Sequence, residues 1–127
     1  MSVVDRGRIQ EAIDSAERDT TGRIAVHVMH HETPDALESA REHLHRADLH
    51  KHPHRNAIIF LVAPKSRRFA VYGDEAIHKI VGDRFWQDVV DEMTPHFKRG
   101  DMTAALEQGI ARAGEQLRVH FPRENAS

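Results

Sequence analysis

A chain of 127 residues with 18 Lys and Arg against 20 Asp and Glu has a formal charge of −2, and at 39% apolar and 30% charged it fits one globular domain, since chains of about 100–150 residues bury a single core. Cysteine is absent, which excludes a disulfide scaffold, a cysteine zinc site, an iron–sulfur cluster and every cysteine-nucleophile mechanism. The near balance of charge, with Lys65, Arg67 and Arg68 clustered only in an apparent turn, argues against a nucleic-acid binder, whose surface carries a basic stripe.

The longest apolar run, 57–63, falls far short of the roughly 20 residues that span a bilayer, and the opening MSVVDRGR lacks an apolar signal segment. A cytoplasmic protein without a membrane span is expected. The 11 histidines, protonated together, would carry the charge from −2 to +9, so charge-dependent behaviour should be steep below neutrality.

Along the chain, Ile9, Ala12, Ile13 and Ala16 follow the spacing of one helix face behind a capping Asp5. Asp19 to Gly22 stop that helix, and Ile24, Val26 and Val28 alternate with Ala25, His27 and Met29 as a strand. Thr33-Pro34 supplies the cap and first turn of a second helix bearing Leu37, Ala40, Leu44 and Ala47, which ends by His52-Pro53. Ala57 to Val62 is uninterrupted, as in a strand buried on both faces. A short connector through Ala63-Pro64 and Arg67-Arg68 leads to Phe69 to Tyr72 in an antiparallel hairpin. The helix between the first two strands instead implies a parallel, right-handed crossover.

Gly73-Asp74 opens a short helix with Ala76, Ile77, Ile80 and Val81, and Gly82-Asp83 closes it and caps the next, which carries Trp86, Val89, Val90, Met93 and Phe97 with Pro95 in its last turns. Trp86 at that spacing belongs to the core. Gly100-Asp101 repeats the stop-and-cap device before a final helix with Leu106, Gly109, Ile110, Ala113 and Leu117 inward. Gly109 and Gly114 each cost about 1 kcal/mol there relative to Ala, which close packing against a neighbour would explain. One domain over 1–122 and a frayed polar tail over 123–127 complete the reading.

Three separated blocks, AIDSAERDTTGRIAVHV, RNAIIFLVAPKSRRFAVYGDEAIHKIVGDRFWQDVV and HFKRGDMTAALEQGIARAGEQLRVHFP, together resemble the TPM domain family, particularly its small bacterial members. The resemblance implies an α/β/α sandwich around a small mixed sheet, in agreement with the periodicities. It also implies a spread of roles, among them acid phosphatase activity, divalent-metal binding, photosystem repair and receptor modulation, which leans towards an interaction module with a membrane-associated protein partner. Arg23 stands where such members commonly have an acidic residue, and Ala57 where they have glycine.

With the first two strands parallel and the next pair antiparallel, Thr20 to Gly22, Arg55-Asn56 and Gly73-Asp74 should meet at one end of the sheet. Asp74, Glu17, Glu75 and Asp83 would offer oxygen ligands to Ca²⁺ or Mg²⁺ in preference to Zn²⁺, with Asn56 as a neutral ligand and Arg55 placed for a phosphate. Helix capping by itself accounts for Asp74 and Asp83, and a turn for Asn56, and is the stronger reading. A phosphatase would need such a metal to activate water, with Asp74 and Arg55 as its catalytic candidates, because Arg-His-Gly and Asp-x-Asp signatures are missing. His50, His52 and His54 alternate around Pro53, but no two histidines hold ligand spacing within a helix interior, so they read as a solvated loop. His27 is expected to pack beside Met29 against a helix.

Overall fold

Asp5 caps α1 (Arg6–Glu17), its carboxylate accepting from the Arg8 N–H at 3.1 Å, as expected from the sequence. β1 (Arg23–Val28) follows, then α2 (Ala36–Arg46), β2 (Ala57–Ala63), β3 (Arg68–Gly73), α3 (Glu75–Lys98) and α4 (Met102–His120). The structure is a computed structural model that describes residues 4–123. Residues 124–127 of the expected tail lie outside the described residues; Arg123 is held, its N–H donating to the Asp19 carbonyl at 2.9 Å.

The sheet has the order β1-β2-β3, with β1 parallel to β2 from Arg23↔Ala57 to Val28↔Val62 and β3 antiparallel from Ile58↔Gly73 to Ala63↔Arg68. Both expected pairings are present. β2 is buried along its whole length because each face has a cover. Ala57, Ile59 and Leu61 meet Ala36, Ala40 and Leu44 of α2, while Ile58, Phe60 and Val62 meet α1, α3 and α4. The result is an α/β/α sandwich with helices in unequal layers.

The start of α2 differs from expectation. Asp35, not Thr33, is the cap, accepting from the Glu38 N–H at 3.0 Å; a carboxylate answers the helix N-terminus more strongly than a hydroxyl. Thr33 is buried instead, its N–H donating to Ser66 Oγ at 2.8 Å and its hydroxyl 2.7 Å from Ser39 Oγ, which ties the loop to the hairpin connector. Ala36 takes the inward place, leaving Leu37 53% exposed. Ile80, expected inward on α3, is also exposed.

Gly82, at φ 75° and ψ 170°, breaks α3 where the Gly-Asp pair predicts two helices, but Asp83 makes no capping bond and faces His78, Nε2 to Oδ1 3.4 Å. Asp101 does cap α4, accepting from the Ala104 N–H at 3.0 Å. The two α4 glycines have the expected reason. A Cβ on Gly109 would lie 2.7 Å from Phe60 Cε1 and Met93 Sδ, and one on Gly114 would lie 3.0 Å from the Cα of Ala16.

Among the described residues, both outer strands keep a free edge. The Met29 N–H donates to the Val62 carbonyl at 2.8 Å, so His27 and Ala25 also face β2 and the main-chain groups of Val26 and Val28 point away from it. The Asp74 N–H donates to the Ala57 carbonyl at 2.8 Å, which by the same alternation turns Phe69, Val71 and Gly73 outward on β3.

Candidate functional site

Arg55 follows the histidine loop and precedes β2, in a left-handed conformation with φ 50°. Its main chain is held on both sides, the N–H donating to the His52 carbonyl and the carbonyl accepting from the Ala76 N–H, each at 3.0 Å. The side chain is thereby aimed at the start of α3, where Nε and Nη2 donate to Asp74 Oδ2 and Oδ1, both at 2.8 Å. Such a fork is the strongest geometry open to the pair. Asp74 is almost wholly buried, and Oδ1 also accepts the Glu75 N–H at 2.8 Å. Burial alone would push its carboxyl up, but the Arg55 hydrogen bonds, the Glu75 N–H and the charges of Arg55 and His45 outweigh that and hold it below the ordinary carboxylate range. Arg55 is raised in turn, first by its hydrogen bond to Asp74. Glu75 lies 3.3 Å from Arg55 Nη1.

Gly73, just before this pair, admits the indole of Trp86: a Cβ there would stand 2.3 Å from Trp86 Cζ2. Trp86 is core, as expected, and its Nε1–H donates to His78 Nδ1 at 3.0 Å. The neutral His78 ring therefore carries its proton on Nε2. Along the free edge of β3 a groove of about 700 Å³ runs between Leu37 and His45 of α2 and Lys79, Trp86 and Val90 of α3, with Arg55 and Asp74 at one end.

The three loops converge as the topology predicts. Asn56 Nδ2 donates to Thr21 Oγ1 at 3.1 Å, joining the first two, and Arg55 joins the second to the third. The candidate ligands do not all share one cavity. Arg55, Asp74, Glu75 and Asp83 line the large groove, whereas Glu17 lines a smaller one of about 320 Å³ with Thr21, Arg23, His52 and His54. Asn56 is wholly buried. Glu17 also has work of its own, Oε2 accepting the Ile24 N–H at 2.7 Å.

Among the described residues, no group of three or more histidines and carboxylates is placed to hold a metal ion. Both oxygens of Asp74 are engaged, and the Asp83 side chain is 97% exposed. Of these candidate ligands, Asn56 has a buried side-chain oxygen, Oδ1, without a hydrogen-bond partner among the described residues. As arranged, these donors do not fit a divalent cation.

The histidines are organised in pairs more than the sequence indicates. His27 stacks on His43 of α2 with ring centroids 3.8 Å apart, confirming its packing against a helix. His45 lies over His50 at 4.3 Å and His52 beside His54 at 5.6 Å, and the Nδ1 atoms of His50 and His52 are buried without partners. The loop is therefore partly packed instead of fully solvated. His78 and His45 are groove residues that sequence reasoning missed, since a single histidine on a helix carries no local signal.

These features define a small α/β/α domain whose sheet end is closed by mutually paired polar residues beside an open groove. The chain belongs to the TPM domain family, whose model matches residues 1–116. It is similar in structure to the BA42 protein of the psychrophilic bacterium Bizionia argentinensis, with a TM-score of 0.86 and 28% identity over 98% of this chain and 88% of that one. The N-terminal domain of the cg2496 protein from Corynebacterium glutamicum shares the fold at a TM-score of 0.68 and 16% identity, covering 95% and 74% of the two chains. An N-terminal domain from P. gingivalis does so at 0.73 and 11%, covering 98% and 83%. No protein of curated function matches the chain. Among the described residues, no helix is long and apolar enough to cross a membrane.

Proposed function

We propose that the domain is a binding or regulatory module that engages a membrane-associated protein partner through the groove beside Arg55 and Asp74. The observation that carries this reading is the Arg55–Asp74 fork, which commits both carboxylate oxygens to a guanidinium that neutralises them, so that a metal or an activated water would have to compete with Arg55. Leu37, exposed at the rim, adds an apolar contact of the kind an interface uses. A photo-crosslinking residue at position 37 should capture one protein from a membrane fraction, while the same probe at exposed Val119 of α4 should not. Equal capture at both positions, or none at 37, overturns the reading.

Ca²⁺ or Mg²⁺ binding is the second reading, favoured by the unpartnered Asn56 Oδ1 at the same sheet end. It needs Arg55 to release Asp74. Amide NMR titration with either ion should then shift Thr21, Asn56 and Asp74 together, and unmoved resonances there sink it. Metal-assisted phosphomonoester hydrolysis, with Asp74 and Arg55 as its catalytic residues, is the enzymatic alternative. It predicts metal-dependent turnover of an aryl phosphate that Asp74→Asn abolishes in a folded protein.

A further inference from the structure

We propose that the groove along the free edge of β1, separate from the Arg55–Asp74 site, binds an acidic peptide segment in extended conformation, added to the sheet as a fourth strand with carboxylates alternating with apolar side chains. The groove holds about 680 Å³ between α1 and α2, and every ionisable residue lining it is basic. Arg6 comes from α1, His27 from β1, His30 and His31 from the turn after it, and His43 and Arg46 from α2; no Asp or Glu lines it. A surface of near-neutral overall charge that segregates six bases into one groove is complementary to an anionic occupant.

The main chain says which kind of anion. The N–H and C=O groups of Val26 and Val28 point into the groove and make no hydrogen bond to another described residue outside the sheet. They form a short template for strand addition. Glu17 marks its beginning by taking the preceding outward N–H, that of Ile24. The two walls differ. Ile9, Ile13, Val26 and Val28 belong to the core side under α1, whereas the opposite wall presents the stacked His27–His43 pair and Arg46. Side chains of an added strand alternate between these walls, so one set meets apolar surface and the other meets bases. No aromatic residue other than histidine lines the groove, which disfavours base stacking by a single-stranded nucleic acid. A lipid surface would meet the exposed rim without reaching the main chain of Val26 and Val28.

The test uses a fluorescently labelled peptide of about five residues alternating glutamate and valine, capped at both ends, with binding followed by anisotropy. Affinity should fall with added salt. The amides of Val26 and Val28 should shift on binding. Arg46→Glu, at an exposed position, should weaken binding at least about tenfold, and His30→Gln, in the exposed turn, provides a second variant that leaves both helices untouched. Of two peptides N-methylated at alternate residues, one on the glutamates and one on the valines, one should lose binding, because only one set of amides pairs with the edge. Unchanged binding of both methylated peptides, or equal binding of one with lysine in place of glutamate, overturns the proposal. So does preference for an oligonucleotide or for phosphatidylserine vesicles at pH 6.

Discussion

Along β3, the outward groups of Phe69, Val71 and Gly73 border a groove in which Arg55 is already matched by Asp74 and Glu75. Along β1, those of Val26 and Val28 border a groove whose ionisable residues are all basic. The two edges have the same construction, a free strand between helices of opposite layers, and they differ in whether the charges are satisfied from within. At the β3 end the carboxylate that neutralises the arginine is also the residue that starts α3, so the pair is part of the fold. Among the described residues, no carboxylate lines the β1 groove. Pairing that is complete holds a structure together; charge left unpaired stays free for something else to meet.

Asp74→Ala tests the first half of that contrast and carries the largest expected effect. It removes a helix cap and the acceptor of the Arg55 fork, leaving Glu75 as the partner of Arg55, and should cost about 2–4 kcal/mol in urea unfolding. Because the Asp74 carboxyl is held below its ordinary value, its stabilisation is fully present above about pH 4 and is lost only as pH falls through the depressed value. An Asp74→Asn protein should therefore show a flatter stability profile in that acid window, and an unchanged profile would mean that the Arg55–Asp74 pair does not hold this end of the fold. Gly73→Ala at the same end pushes a methyl into Trp86 and should cost about 1–3 kcal/mol, read as a fall in Tm.

At the β1 end the effects should be smaller. Glu17→Ala leaves the Ile24 N–H without its acceptor, at a cost of about 1–2 kcal/mol. Weaker still is the response to mild acid. His27 is lowered first by burial and then by the charges of His43 and His30, so the unfolded chain binds the proton more readily. Its contribution is intact above about pH 6.5 and is lost as pH falls towards the depressed folded value. His52, lowered first by burial and then by Arg23 and His54, adds in the same direction. Stability measured by urea at pH 7.5 and pH 5.5 should fall, and His43→Gln should reduce the difference. A larger response from Asp74→Asn than from His43→Gln in this window would place the pH sensitivity at the wrong edge.

Most of the sandwich is legible in the chain because its signals are local or periodic. The unbroken Ala57 to Val62 run places β2 at the centre, the Gly-Asp pairs at 73–74 and 100–101 mark true helix starts, and the glycines of α4 announce the close approaches they make. The α2 cap was harder, because Thr33 and Asp35 are both good caps two residues apart and tertiary contacts to Ser66 and Ser39 decide between them. At the site, connectivity correctly brings three loops together. What those residues do to one another is another matter. Asp74 and Arg55 stand 19 positions apart, and nothing local distinguishes a carboxylate awaiting a cation from one already holding a guanidinium. Glu17 is similar, since only the strand register reveals that it finishes an edge.

Trp86 is the chain's single tryptophan, and its indole N–H rests on a histidine at the mouth of the β3 groove. A ligand that engaged His78 Nδ1 would break that bond and hand the indole N–H to another partner, which changes its emission. The protein thus carries its own optical reporter, sited to register occupancy at one sheet edge while remaining silent about the other.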